Sequence, residues 1–182
     1  ENDFSRLELN LSACENNYHY FRGLLNPETK LLVLVQANAY GHGAVEFASM
    51  MQRLGADYLA VALPVEGIEL RKAGISLPIL VLTAGTDYMS EIIDYRLEPG
   101  IPNLSTLAAL EEKLDFLAKH PRIQVKSVYS HLAAAEDPES DDFTLAQIEL
   151  FTRMAEKVSA RCADKPMWHI LNSAGIERFT SY

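Results

Sequence analysis

The sequence predicts an α/β protein of the (β/α)8 barrel type, incomplete in these residues, and three observations carry that expectation. Short apolar runs alternate with helix-length periodic segments along the 182 residues, the pattern of a parallel sheet wrapped by helices. The first three runs are apolar on both faces, as strands covered on both sides must be. The strand count reaches about six, whereas a full barrel usually takes ~250 residues.

The strands are read at 31–35 ("LLVLV"), 58–62 ("YLAVA"), 79–82 ("ILVL"), 97–101 ("LEPGI"), 124–130 ("QVKSVYS") and 168–171 ("WHIL"). A capping box, Ser12 with Glu15, opens the first helix, "CENNYHYFRGLL". "AVEFASMMQRLG" is the second helix, with Met50 and Met51 in its core face and Gly55 as its C-terminal cap. "PVEGIELRKAG" and "DYMSEIIDYR" are the next two. Leu104, Leu107, Leu110, Leu114 and Leu117 then mark one face of a helix. The last long helix is "DDFTLAQIELFTRMAEKVSARC", with Asp141 or Asp142 as N-cap and Phe143, Ile148, Phe151, Met154 and Val158 facing a core. One domain over 1–182 follows, since the acidic loop 135–142 is too short to be a linker.

Composition removes several function classes. The net charge is −9 with no basic stripe, which argues against nucleic acid as a partner. No apolar run approaches the ~20 residues of a membrane helix. The opening "ENDFSRLELNLS" alternates and carries acids, unlike a secretory leader. Cys14 and Cys162 have no neighbours at metal-ligand spacing, and no two histidines pair with a Cys or carboxylate at such spacing, so no metal site and a reduced, cytoplasmic setting are expected.

Catalytic groups of a parallel barrel sit where strands end at the C-terminal face. Gln36 lies there, just after the first strand, and Tyr40 follows in a turn whose Gly41 and Gly43 let backbone approach a ligand. The Tyr40 hydroxyl suits a phosphate or a ring oxygen. A buried, hydrogen-bonded glutamine in a rim turn accounts equally well for the spacing. His131 and His169 end two later strands, and Asn172 and Ser173 follow at the same rim. His131 suits either a ring-oxygen contact or an orienting role. Asn172 and Ser173 suit either phosphate donation or loop-ordering hydrogen bonds. His19, His42 and His120 read as surface residues.

The whole string "VQANAYGHG" resembles the signature of the alanine racemases, pyridoxal-phosphate enzymes on a (β/α)8 barrel. "SVYSHLAAAEDP", "DDFTLAQIELF" and "HILNSAGIERF" resemble the same family in the right order, and together the four blocks span nearly the whole chain. The wording is most similar to the racemase fused to a cell-wall ligase in some bacteria. The resemblance implies interconversion of L- and D-alanine for peptidoglycan, a pyridoxal 5'-phosphate cofactor and a head-to-tail homodimer. It also implies that His169 lies against the cofactor ring.

The departures bear on activity. The family places at position 36 the lysine that forms the internal aldimine, and Gln36 is a carboxamide that cannot condense with an aldehyde or take an α-proton. Covalent attachment is therefore not expected here. The resemblance also implies a further strand, bearing a substrate-positioning arginine, after "LEPGI…LAALEE", yet the text passes straight to "KLDFLAKHPRI". The later strands and the second, β domain of the family are likewise not expected within these residues. Two readings from different classes follow: a racemase-family domain that is itself inactive, or a non-catalytic scaffold holding cofactor weakly or not at all.

Overall fold

The computed structural model describes residues 7–102, 124–160, 162 and 164–182. The chain divides into two compact units, Glu1–His19 with Pro27–Lys119, and Tyr20–Asn26 with His120–Tyr182. Helix α1, Leu11–Leu24, contributes its two ends to the two units. Asn10 caps it, its Oδ1 accepting from Ala13 N at 3.0 Å. The expected cap at Ser12 is thereby corrected: the cap lies two residues earlier, and Ser12 is inside the helix.

The first unit is built on a parallel sheet in the order β1 (Leu32–Leu34), β2 (Tyr58–Val61), β3 (Ile79–Val81), β4 (Glu98–Pro99). Its register pairs Leu32 with Tyr58, Leu59 with Ile79 and Leu80 with Glu98. All four fall within the stretches expected from the sequence. Leu59, Ala60, Val61, Ile79 and Val81 are fully buried, which is why these runs carry no polar residue on either face. Helices α2 (Ala44–Leu54), α3 (Pro64–Lys72) and α4 (Met89–Asp94) alternate with the strands. Gly55 closes α2 at φ 89°, and Met50 and Met51 are buried, both as expected. Gly67 sits mid-helix in α3, where glycine costs about 1 kcal/mol against alanine. A Cβ there would lie 3.0 Å from both δ-carbons of Leu97, so the missing methyl lets α3 settle against the chain entering β4.

The strands are short, and single side chains satisfy the backbone at their entrances. Asp57 Oδ2 accepts from Leu31 N at 2.8 Å. Gln52 Oε1 accepts from Ser76 N at 2.8 Å and Leu77 N at 3.3 Å. The Arg71 guanidinium donates to the carbonyls of Ile75 and Leu77 at 2.7 Å, Tyr95 at 3.0 Å and Arg96 at 3.1 Å, joining the approaches to β3 and β4.

In the second unit, β5 (Ser127–Tyr129) and β6 (Met167–His169) pair in parallel, Tyr129 opposite His169. Helix α5, Asp141–Ser159, and a short helix α6, Ser173–Arg178, complete it. Leu132, Ala135, Ile148 and Phe179 form its core. Arg178 joins α6 to α5 by an ion pair with Asp141 at 2.6 Å and donates to Ala135 O.

Two expectations are corrected in this unit. The residue preceding α5 is Ser140, which makes no side-chain cap bond. Asp141 is drawn instead to Arg178, and Asp137 caps the preceding 3-10 turn, Pro138–Ser140. The core face of α5 is Thr144, Ile148 and Ala155, while Phe143, Met154 and Val158 are exposed. The helix carries two stripes about 100° apart, and the one with the small residues allows the close approach. Helix α6 had no counterpart in the strand-and-helix pattern. The leucine-striped helix expected over 104–119 lies outside the described residues.

Two stability outcomes follow. Arg71→Ala strands several carbonyls and should lower unfolding free energy by about 2–3 kcal/mol, with Arg71→Lys recovering less than half because one ammonium cannot span four acceptors. Denaturant melts of the two variants test this. Thr144 Oγ1 is fully buried and has no hydrogen-bond partner among the described residues. Thr144→Val should therefore raise stability, by about 1 kcal/mol in the same assay.

Candidate active site

Gln36 follows β1 directly, after Val35, whose N–H extends the ladder to Ala60 O at 2.8 Å. It opens the turn Gln36–Tyr40, and that turn is left-handed. Ala37, Asn38 and Ala39 have φ/ψ of 50°/51°, 55°/45° and 51°/49°, and Tyr40 has φ 56°. Gly41 and Gly43 continue at φ 87° and 91°, the conformations for which glycine suits these places. Left-handed helical geometry brings Ala39 N to Val35 O and Gly41 N to Ala37 O, both at 3.0 Å.

Side chains tie the turn at both ends. Ala37 N donates to Glu66 Oε1 at 2.6 Å, and Ala44 N donates to Asn38 Oδ1 at 2.8 Å. Glu66 Oε2 also accepts from Ala62 N and Leu63 N, both at 2.8 Å, and so caps α3. Gln36 is half-buried, and its Nε2 donates to Tyr40 Oη at 3.4 Å. Tyr40 is 59% exposed. The structure thus brings Gln36 and Tyr40 together.

The other predicted residues belong to the second unit. His169 is the last residue of β6, its ring stacked on Tyr129 with centroids 5.0 Å apart and planes 10° from parallel. Its Nε2 lies 3.3 Å from Ser127 Oγ. Burial pushes the His169 imidazole below its usual pKa and the Tyr129 phenol above its own. Asn172 accepts from Gly175 N at 2.9 Å, capping α6, and its Nδ2 donates to Leu132 O at 3.3 Å. Both ends of its carboxamide are therefore engaged within the chain. His131 is exposed, and its carbonyl accepts from Gln147 Nε2 at 2.6 Å. Ser173 is exposed at the start of α6.

Residues that the sequence reasoning missed are Glu66, Ser127 and Tyr129. The signal for Glu66 was present in "LPVEG", a proline at the first helical position with Glu at the third. Alternation along "KSVYS" places Ser127 and Tyr129 on one face. Among the described residues, no cluster of three His, Cys, Asp or Glu side chains could hold a metal, and no helix is long and apolar enough to cross a membrane.

The strands of each unit run parallel, and the polar residues named above lie at or just beyond their C-terminal ends, the end at which a parallel α/β barrel presents its loops. The family model "Alanine racemase, N-terminal domain" matches residues 9–115 and 108–182, so the chain belongs to that family. The alanine racemase of Synechocystis sp. is 32% identical over 201 aligned positions, covering 92% of this chain and 54% of its own length. A solved alanine racemase from Clostridium difficile 630 superposes with a TM-score of 0.84 at 27% identity, covering 95% of this chain and 53% of that one. The same enzyme in complex with cycloserine gives 0.82. The fold is that of the racemase barrel domain, and the chain spans about half the length of the relatives it matches.

The His169 shift has a definite sign. A folded pKa below the unfolded value of about 6.5 means that the unfolded chain binds the proton first. Stability contributed by the neutral ring is present above pH ~6.5 and is lost as pH falls toward the folded pKa. His169→Phe should flatten the pH dependence of unfolding between about pH 7 and 5, above the range where carboxylates titrate. Asn172→Ala should cost about 1–2 kcal/mol through the lost cap of α6.

Proposed function

We propose that this chain is the barrel domain of an alanine racemase-type protein and that, with Gln36, it does not itself racemise alanine. The observation that carries this is a carboxamide at the C-terminal end of β1, heading the "QANAYGHG" turn and hydrogen-bonded to Tyr40. The resemblance places there a lysine that binds pyridoxal phosphate covalently, and a carboxamide nitrogen is not nucleophilic enough to do so. The residues present therefore do not fit a covalently held cofactor. No other described lysine compensates. Lys30, Lys126 and Lys165 precede β1, β5 and β6, at the opposite ends of those strands, and Lys72 and Lys157 lie on helices.

Tyr40, His131 and Ser173 are the exposed residues among the predicted cofactor contacts, and with Gln36 in place of a lysine any cofactor binding would be non-covalent. A missing internal segment supports the same reading. The two family matches overlap at 108–115, and the alignment with the Synechocystis protein runs over 201 positions, more than the chain's 182 residues. We take this as the place of the absent arginine-bearing strand. In the intact parent protein the domain would serve cytoplasmic D-alanine supply for peptidoglycan, in a homodimer and with a β domain or fused ligase beyond these residues. The second reading, a non-catalytic scaffold, draws on the same glutamine.

Absorbance titration with pyridoxal phosphate, then borohydride reduction and intact mass, tests the proposal. No aldimine band and no reduced adduct are expected; a single adduct mapped to one lysine overturns it. Gln36→Lys alone should not restore racemisation of either alanine enantiomer, and turnover near that of a full-length racemase would refute this.

A further inference from the structure

The left-handed turn after β1 is only partly accounted for by its own residues. Of Ala37, Asn38, Ala39 and Tyr40, only asparagine visits that region readily. Each of the others resists it, because Cβ crowds the following carbonyl. The hydrogen bonds inside the turn lie between groups that a right-handed turn would pair as well. Asn38, whose Oδ1 accepts from Ala44 N at 2.8 Å, and the glycines after it account for the far end of the path, and the near end at Ala37 takes its partner from outside the turn.

Glu66 is placed to do so. Its Oε1 takes Ala37 N at 2.6 Å, at the first left-handed residue, and its Oε2 takes two N–H groups of the loop after β2. Two loops, one at Ala37 and one at Ala62 and Leu63, are thereby fastened to one carboxylate at the N-terminal turn of α3. Pro64 at the start of α3 and the close seat at Gly67 hold that helix, so the acceptor presented to Ala37 is held with it. A neutral amide in place of the carboxylate has one acceptor oxygen and a donor where the other oxygen stood, and so cannot serve both loops. We infer that Glu66 is the positioning residue of this turn: its bond to Ala37 imposes the left-handed path and so sets where the side chains of residues 36 and 40 point. The inference rests on the proposed function only in treating position 36 as the family's cofactor-anchoring place.

The test uses the full chain and nuclear magnetic resonance, reading HN–Hα couplings and amide exchange for residues 37–43. Glu66 also caps α3, so a double variant, Leu63→Ser with Glu66→Ala, separates the roles by giving α3 a new capping hydroxyl. Expected for both Glu66→Ala and the double variant are loss of the positive-φ couplings at Ala37–Tyr40 and about ten- to hundredfold faster exchange at Ala39 and Gly41. Only α3 should recover protection in the double variant. Should Glu66→Ala fail to fold, Glu66→Gln replaces it, with faster exchange expected in one of the two loops. A turn that keeps its couplings without Glu66, or regains them with the new cap, overturns the inference. Pyridoxal phosphate uptake by Gln36→Lys with Glu66 intact bears on the proposed function alone, so the two can fail separately.

Discussion

Strands of two to four residues cannot hold a parallel sheet through their own ladders, and the dependence of this fold on side chains that serve orphaned backbone groups follows from that shortness. At the entrances, Asp57, Gln52 and Arg71 supply the missing partners, Arg71 reaching four carbonyls. At the exits the same service comes from Glu66 in the first unit and from Gln147 and Asn172 in the second. The exits are where a parallel barrel places its chemistry, so the groups that finish the sheet also shape the site.

At the strand exits the two units solve this problem with different chemistry. In the first, a carboxylate accepts three backbone N–H groups, and charge-assisted bonds of that kind are stronger than neutral ones. In the second, carboxamides bridge donors and acceptors: Gln147 holds Ala133 N and His131 O, while Asn172 holds Gly175 N and Leu132 O. Gln36 is a carboxamide too, but its partner is the exposed Tyr40 hydroxyl, not backbone. It finishes no strand. Its one hydrogen bond among the described residues spans the turn from its first residue to its last.

His169 shows how much a neighbour decides. Between Tyr129 and Ser127 its ring is held by stacking on one face and a hydroxyl at Nε2, and burial favours its neutral form. These contacts account for the ring's placement within its own unit by stacking and one hydroxyl.

The six described strands and helices α1 to α4 were legible in the sequence because both-face burial and helical periodicity are local signals, written in runs such as "LLVLV" and "AVEFASMMQRLG". Position 36 was legible as well, since its chemistry depends on which atom the side chain ends in. The sequence alone therefore determined the strand–helix order, the family and the absence of an amine at Gln36. Tertiary structure decided which stripe of α5 is buried, because Phe143 and Thr144 are equivalent until the neighbouring surface says how close the helix must come. It also decided the hand of the turn at 37–40. Two alanines and a tyrosine carry no preference for that conformation, and the carboxylate tied to them is 29 positions away, beyond the reach of any local pattern.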